Sequence, residues 1–215
     1  EPLFKKEISA TDLWKKIVHN AWKSAEPGVL FWDTILRESV PDCYADLGYR
    51  TVSTNPCGEI PLCPYDSCRL LAINLYSYVV NPFKPDAYFD FDLFKKHVAL
   101  AQRIMDDIID LELEKIERIM AKIDSDPENE DVKHTESVLW QKIYKKSGQG
   151  RRTGVGITAE GDMLAALGLR YGTEEATEFA EKVHQTVALS AYRSSVEMAK
   201  ERGAFEVYDS EREKN

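Results

Sequence analysis

The sequence predicts an α/β protein that is mainly helical. Apolar residues recur at helical spacing through several long segments. The run Leu70–Leu75 is instead almost continuously apolar, which is typical of a strand buried on both faces of a sheet covered by helices. Val155 and Ile157 indicate a second strand. Helices and buried strands together favour the α/β class.

The composition narrows the classes of function. The 215 residues are 43% hydrophobic, which allows one large domain or two small ones. The net charge of −9, spread along the chain, does not indicate a nucleic-acid or lipid-surface partner. No apolar run reaches the roughly 20 residues of a membrane span, and the charged first residues are not a signal peptide. We therefore expect a cytoplasmic protein, and the missing initial Met predicts an excerpt of a longer polypeptide.

The first quarter of the chain predicts two helices and a short strand. Ser9 or Thr11 can cap an amphipathic helix that ends at Glu26-Pro27-Gly28. A second, short helix is expected over Phe31–Glu38 and a short strand over Tyr49–Ser53. The apolar positions of the first helix are Leu13, Ile17, Val18, Ala21, Trp22 and Ala25.

The longest helix is predicted to begin at Asp90 or Asp92. Its apolar residues step by four and three positions, and this repeat shifts by one residue near Asp107–Asp110. The shift predicts one long helix with a break or a change of packing partner at that place. An acidic turn is expected over Ser125–Asp131.

Acidic residues on this helix raise the question of metal binding. A two-metal helical bundle needs Glu-x-x-His pairs on facing helices, and no histidine of this sequence has that context. A solvated acidic face is therefore favoured. The residues concerned are Asp106, Asp107, Asp110, Glu112, Glu114 and Glu117.

The C-terminal part predicts a strand among helices. A helix over about Val132–Lys146 is expected to end at Gly148 and Gly150. The Gly-x-Gly of Thr153–Thr158 lacks the other residues of a phosphate-binding loop, so we favour a strand whose glycines permit close approach of a neighbouring backbone. Two further helices are predicted, Gly161–Leu167 and Thr173–Gly203.

The segment Ser53–Leu75 concentrates the reactive side chains. It holds Cys57, Cys63 and Cys68, three of the four cysteines. Four cysteines are too few for a disulfide scaffold in a chain of this size, so reduced thiols are expected. The cysteine spacing differs from the two-residue gaps of zinc ribbons, and no histidine lies close by. Redox or radical thiols fit this pattern better than zinc ligands.

Asn55, Cys57 and Glu59 can form a chemical site. On an extended backbone these alternate residues would share one face. A thiol can be a nucleophile, an electron donor or a hydrogen-atom abstractor, a carboxylate can accept a proton, and an amide can orient a substrate. A nucleophilic cysteine would need a histidine base, which the neighbouring sequence lacks. A buried structural cysteine in a tight turn remains the alternative.

Blocks of sequence in and around this segment carry a family resemblance. The segment contributes NPCGE at Asn55–Glu59, then Pro61-Leu62, Tyr65–Cys68 and Ala72–Leu75. The flanking blocks are Pro27–Val29 with Phe31–Asp33, and Arg151–Ile157 with Asp162–Leu164 and Leu167-Gly168. In this order the blocks, which cover most of the chain, resemble the large, catalytic subunit of ribonucleotide reductases.

The resemblance implies a fold and a radical reaction. The family fold is a ten-stranded α/β barrel, of the type shared with glycyl-radical enzymes, with a central loop that carries a radical cysteine. The resemblance implies that Cys57 forms the thiyl radical that takes the ribose 3′ hydrogen and that Glu59 takes the proton of the 3′ hydroxyl. It also implies that Asn55 binds substrate hydroxyls and that Cys68 is half of the reducing dithiol.

The resemblance also implies a cofactor and partners. The short interval from Cys57 to Cys68 is most similar to the adenosylcobalamin-dependent class II, so adenosylcobalamin is the implied cofactor. The implied partners are a ribonucleotide substrate, a thioredoxin- or glutaredoxin-type reductant and a second copy in a homodimer. Residues 1–215 would be a mainly helical part of the catalytic barrel domain, with a helical-hairpin insertion at about 112–148. Such an excerpt is expected to be inactive by itself.

Departures from the family pattern leave alternatives open. In the family the second thiol of the dithiol lies upstream, on a strand that this sequence does not include. Cys43 and Cys63 match no functional position of the family, so neither receives a role. One alternative is a non-catalytic helical interaction module with structural thiols. Another is a relative of the glycyl-radical enzymes.

Overall fold

A computed structural model describes residues 3–214, which are mostly helical, as the sequence predicts. The α-helices are α1 Ala10–Ser24, α2 Trp32–Glu38, α3 Phe91–Ser125, α4 Glu130–Gly150, α5 Glu160–Ala166 and α6 Glu174–Arg202. The strands are β1 Ser53–Thr54, β2 Pro61–Leu62, β3 Leu70–Asn74, β4 Val79–Val80, β5 Tyr88–Phe89 and β6 Gly154–Thr158. Short 3₁₀ helices occupy Val40–Leu47, Leu75–Tyr78 and Arg212–Lys214. None of the helices in these residues is both long and apolar enough to cross a membrane.

The strands form three separate two-stranded sheets within residues 3–214. The pairs β1–β2 and β4–β5 are antiparallel. β3 and β6 run parallel, in a register that pairs Leu70 with Gly154 and Asn74 with Thr158. This pair confirms the two strands that the sequence predicts most clearly. The described residues contain no closed barrel.

The strand predicted over Tyr49–Ser53 is wrong, since β1 begins only at Ser53. The backbone N–H of Thr51 donates to the Asp42 carboxylate at 2.7 Å, so it is not available to a neighbouring strand. Tyr49 is 3% exposed and packs with Tyr44 and Cys63 in a small second core. The Tyr49 side chain therefore contributes to this core, and Tyr49 is not part of a strand.

β3 is less buried than its sequence predicts. Ile73 is 7% exposed, but Leu70 in the same strand is 51% exposed. The pair has only two strands in the described residues, and one face of β3 remains open there. The expectation of a strand buried on both faces is therefore not met within residues 3–214.

The glycines of β6 lie very close to β3, as predicted. A Cβ atom at Gly154 would lie 2.9 Å from the backbone oxygen of Arg69. A Cβ atom at Gly156 would lie 3.2 Å from the Leu70 side chain. Only glycine leaves room for this approach without a shift of the neighbouring strand.

The main core lies beside the parallel pair, among α3, α5 and α6. Leu75, Phe94 and Val98 have no exposed surface, and neither do Met163 of α5 and Val183 of α6. Burial of such side chains stabilises a fold by about 1.5–3 kcal/mol each. This core fixes β3 and β6 in place on the helices.

α3 is one continuous helix, so of the two alternatives predicted near Asp107–Asp110, a break or a change of packing partner, the structure shows the change of partner. The first half packs on α6, where the Ser194 hydroxyl donates to the Ala99 carbonyl at 2.8 Å. The second half packs on α4, where the Tyr144 hydroxyl donates to Glu117 at 2.9 Å. Because α3 contains neither glycine nor proline, nothing in its sequence interrupts the hydrogen-bond ladder.

α4 extends further than its sequence predicts. Gly148 lies inside the helix, where a Cβ atom would be 3.7 Å from the Leu113 side chain of α3. Gly150 is the last helical residue, and Arg151 adopts the left-handed conformation and donates its N–H to the Ser147 carbonyl at 3.0 Å. Packing on α3 therefore keeps Gly148 helical despite its low intrinsic propensity.

α1 and α2 lie where the sequence predicts, but the apolar face of α1 is uncovered. α1 contains no buried residue, and Trp14 and Trp22 are 60% and 81% exposed. The residue spacing thus predicts the helix correctly. Within residues 3–214, however, no element buries its apolar face.

We predict that Gly154→Ala loosens the β3–β6 pair. The added Cβ would collide with the backbone oxygen of Arg69, and such overpacking costs about 1–3 kcal/mol. Amide hydrogen exchange in β3 and β6 of the full-length protein should accelerate by about tenfold. Gly161→Ala, whose Cβ would meet nothing within 4 Å, is the matched control and should leave this exchange unchanged. Unaltered exchange in Gly154→Ala would contradict the close approach.

Candidate functional site

The predicted reactive loop is a tight hairpin between β1 and β2. The Asn55 N–H donates to the Ile60 carbonyl at 3.1 Å, and the Gly58 N–H donates to the Asn55 carbonyl at 3.0 Å. Pro56 occupies the second position of this turn, where its fixed φ is favourable. Gly58 has a φ of +87°, which favours glycine. The backbone is thus turned and not extended, so the expected extended segment with Asn55, Cys57 and Glu59 on one face is not present.

The Asn55 side chain organises the loop from inside. It is 5% exposed, and its Oδ1 accepts the Ile60 N–H at 2.9 Å. Its Nδ2 donates to Glu59 Oε1 at 2.6 Å and points to Cys68 Sγ at 3.7 Å. The amide therefore brings together the loop carboxylate and the thiol of Cys68, which precedes β3.

Cys57, Glu59 and Cys68 are exposed around this buried amide. Cys57 lies at the tip of the turn, and its Sγ makes no hydrogen bond to any residue of the range 3–214. The structure thus brings Asn55, Glu59 and Cys68 into contact and places Cys57 on the same short loop, facing solvent. An exposed thiol and an oriented carboxylate can both reach a bound substrate.

Cys43 and Cys63 lie in different surroundings. Cys63 is 3% exposed, its Sγ is 3.9 Å from Asp66 Oδ2, and burial followed by the charge of Asp66 raises the pKa of its thiol. Cys43 is half-buried, and burial followed by the charge of Glu213 raises its thiol pKa. A raised pKa reduces the thiolate fraction, so neither cysteine is suited to reactivity.

A buried arginine lies next to Cys68 in the sequence. Arg69 is 8% exposed, and its guanidinium donates to Glu112 of α3, to Ser147 Oγ of α4 at 2.7 Å and to Asp66 Oδ1 at 3.0 Å. Its fifth N–H donates to the Arg152 carbonyl at 3.3 Å. Burial acts to lower the pKa of Arg69, but the hydrogen bonds and charges of Glu112 and Asp66 outweigh burial and raise it.

Arg152 connects this network to the hairpin. Its Nη1 donates to Asp66 Oδ2 at 3.2 Å and its Nη2 to the Pro61 carbonyl at 2.8 Å. The Asp66 side chain is 2% exposed and accepts from both arginines. Two positive groups on one buried carboxylate satisfy its charge and hydrogen-bonding capacity.

Asp66, Arg69 and Arg152 belong to the site, although no pattern in the sequence assigns them a role there. One feature of the sequence does indicate Arg69, because it directly precedes the apolar run Leu70–Leu75. A charged side chain that is buried beside such a run needs partners. The partners of Arg69 could not be found from spacing, because those on α3 and α4 are 43 and 78 residues away in the sequence.

The acidic face of α3 is paired with arginines and is only partly solvated. Carboxylate oxygens of Asp106, Asp107 and Asp110 lie within 4.8 Å of one another. Arg151 binds Asp106 at 2.8 Å and Asp110 at 2.7 Å, while Arg202 of α6 binds Asp106 at 2.8 Å and Asp107 at 2.7 Å. Two arginines thus neutralise two of the three negative charges of the cluster, and each of the three carboxylates is in an ion pair.

A profile of the family described as "Ribonucleotide reductase, barrel domain" matches residues 1–215. The match covers the whole sequence, so this chain belongs to the ribonucleotide reductase barrel-domain family. The family resemblance of the loop and its flanking blocks is thereby confirmed.

Two similar proteins carry the same name. The vitamin B12-dependent ribonucleoside-diphosphate reductase of Thermoplasma acidophilum is 36% identical over 210 residues, which are 97% of this chain and 23% of that protein. The reductase of the same name from Mycobacterium tuberculosis (strain CDC 1551 / Oshkosh) is 31% identical over 206 residues, which are 95% of this chain and 25% of that protein. The chain thus spans about a quarter of the length of these relatives.

A solved structure has a similar fold. The class Id ribonucleotide reductase α subunit of Actinobacillus ureae matches with a TM-score of 0.67 and 19% identity. The match covers 91% of this chain and 33% of that chain. The helices and short strands described above are therefore arranged like a part of that subunit.

We predict that iodoacetamide modifies Cys57 and Cys68 at least about 100-fold faster than Cys63 in the reduced protein, because a buried thiol reacts only after local opening. Peptide mass spectrometry measures the rates. Modification in denaturant is the control and should make the rates similar. Similar rates in the folded protein would contradict the buried position of Cys63.

Proposed function

We propose that this chain is part of the catalytic barrel domain of an adenosylcobalamin-dependent ribonucleotide reductase, which makes deoxyribonucleotides. The observation that carries the proposal is the buried Asn55 amide, which joins Glu59, on the loop that bears Cys57, to Cys68, on the segment before β3. The names of relatives that match 97% and 95% of the chain support the cobalamin-dependent class. The activity belongs to the full-length protein, and the chain by itself should be inactive.

The proposed reaction begins and ends at Cys57. As a thiyl radical, its sulfur takes the hydrogen atom from C3′ of the ribose, so an S–H bond forms and the C3′–H bond breaks. The Glu59 carboxylate accepts the proton of the 3′ hydroxyl while the 2′ hydroxyl, protonated by a thiol, leaves as water. After reduction, Glu59 returns its proton to the 3′ oxygen and Cys57 returns its hydrogen atom to C3′.

The reducing electrons come from a dithiol of which Cys68 is one half. Two thiols give two electrons and two protons: one proton leaves in the water and one hydrogen is added at C2′. The products are a deoxyribonucleotide, water and a disulfide, so the reaction balances. We assign the second thiol to another part of the full-length protein. A thioredoxin- or glutaredoxin-type dithiol would restore Cys68, because the disulfide must receive two electrons before the next turnover.

Asn55 has a positioning role in this proposal. Its amide is largely committed to Ile60 and Glu59, so it orients the carboxylate that accepts the proton. One Nδ2 hydrogen points toward Cys68 Sγ. This hydrogen can also be donated to a substrate hydroxyl. The sequence-based role as a substrate ligand is thus extended by a role inside the loop.

Adenosylcobalamin, when bound to the full-length protein, supplies the radical that oxidises the thiol. The exposed position of Cys57 at the tip of the hairpin fits a radical source that approaches from outside the loop. No residue of this chain is proposed as a cobalamin ligand. The contribution of this chain is to present the Cys57 sulfur and to keep Cys63 buried away from it.

The rest of the full-length protein would complete the barrel. We propose that β3 and β6 are two strands of the ten-stranded barrel, which is supported by the open face of β3 and by the close match in fold to a reductase α subunit. We also propose that residues of about 112–148 are an inserted helical hairpin. Arg69 binds Glu112 and Ser147, which lie at the two ends of this hairpin.

We predict that Cys57→Ser in the full-length protein lowers nucleotide reduction by at least about 1000-fold, because the reaction depends on hydrogen-atom transfer at sulfur. Glu59→Gln should lower it by about 100-fold, the usual effect of losing a proton acceptor. Deoxyribonucleotide formation with adenosylcobalamin and a dithiol measures both.

Cys63→Ala is the matched control for these variants and should stay close to the parent, since its thiol is buried and unassigned. Full activity in Cys57→Ser would overturn the proposed function. Loss of activity only in Cys63→Ala would assign the chemistry to a different thiol.

A further inference from the structure

The proposed reactive thiols lie on two neighbouring segments, which are joined by the side chains of Asn55 and Arg152. Cys57 lies on the β1–β2 hairpin, whereas Cys68 lies on the segment that leads into β3. Arg152 donates to the Pro61 carbonyl on the hairpin at 2.8 Å and to Asp66 on the Cys68 segment at 3.2 Å. Arg152 comes from a third segment, directly before β6.

The segment Asp66–Cys68 is held in place by the buried side chain of Arg69. Asp66 accepts from Arg69 at 3.0 Å, and the side chains of this pair are 2% and 5% exposed. Every guanidinium N–H of Arg69 has a partner on Asp66, Arg152, α3 or α4. Because this anchor is buried and fully hydrogen-bonded, the bond from Arg152 to Pro61 holds the hairpin to the segment that carries Cys68.

We propose that Arg152 is a positioning residue that holds the Cys57 hairpin in register with Cys68. This inference rests on the proposed function, since only a reaction that uses both thiols needs this register. The planar guanidinium suits the task, because its two terminal nitrogens reach two acceptors on different segments at fixed geometry. A lysine ammonium supplies the charge without that fork.

The contact that depends on this bridge is the one between Asn55 and Cys68. Asn55 belongs to the hairpin, and its Nδ2 lies 3.7 Å from Cys68 Sγ. Without Arg152, the Pro61 carbonyl loses its charged donor and the hairpin can move away from Cys68. The reduction of the substrate then slows, because Cys57 and Cys68 no longer keep their relative positions.

The neighbouring arginine provides a matched control. The Arg151 side chain is 22% exposed and that of Arg152 is 19% exposed, and both pair with carboxylates. Arg151 binds Asp106 and Asp110 of α3 and makes no hydrogen bond to the hairpin within residues 3–214. Arg151→Gln and Arg152→Gln therefore remove equivalent charges, but only Arg152→Gln removes the bridge.

The test compares Arg152→Gln, Arg152→Lys and Arg151→Gln in the full-length protein. Arg152→Gln should accelerate amide hydrogen exchange in residues 53–62 by about tenfold and lower kcat by about tenfold with little change in KM. Arg152→Lys should recover part of both effects, because it keeps the charge. Arg151→Gln should leave the exchange of residues 53–62 and kcat unchanged.

The outcomes separate this inference from the proposed function. Unchanged exchange in Arg152→Gln, or an equal effect of Arg151→Gln, would overturn the bridge. Faster exchange with an unchanged kcat would overturn the positioning role while the reductase function stands. If the parent protein reduces no ribonucleotide, the proposed function fails, and the exchange measurement still decides whether Arg152 holds the hairpin. Should Arg152→Gln not fold, Arg152→Lys should still exchange faster than the parent in residues 53–62, and exchange equal to that of the parent would overturn the bridge.

Discussion

The structure depends on the requirement that the buried guanidinium of Arg69 be fully paired. A charged group that leaves water without partners costs several kcal/mol, so its donors must all be met by acceptors. Here the acceptors come from Glu112, Ser147, Asp66 and the Arg152 carbonyl. One side chain thereby ties the Cys68 segment to α3, to α4 and to the segment before β6.

The close contact of β3 and β6 connects the hydrogen-bonded network of Arg69 to the core. Gly154 allows the backbone of β6 to approach the Arg69 carbonyl, so the strand that follows Arg152 lies directly beside the strand that follows Arg69. The core under this pair is made by α3, α5 and α6. α3 can serve both α6 and α4 because it stays helical where its packing partner changes. The loop is therefore supported by the rigid part of the fold.

Burial distinguishes the three thiols of the loop region. Cys63 is enclosed beside Tyr49, whereas Cys57 and Cys68 remain exposed on either side of the buried Asn55 amide. The amide and the arginine bridge have complementary effects: Asn55 fixes Glu59 within the hairpin, and Arg152 fixes the hairpin against its neighbour.

The sequence by itself determines the features that depend on residues near one another in the chain. These features are the helix periodicity, the apolar strand runs and the NPCGE motif. These features predicted most helices, the β3–β6 strands and the family. The sequence could not reveal the buried Asn55 or the uncovered face of α1, because burial depends on what packs nearby in space. Nor could it pair Arg69 with Glu112 and Ser147. Only the tertiary structure brings such distant acceptors to one guanidinium, and only there does Arg152 become part of the site.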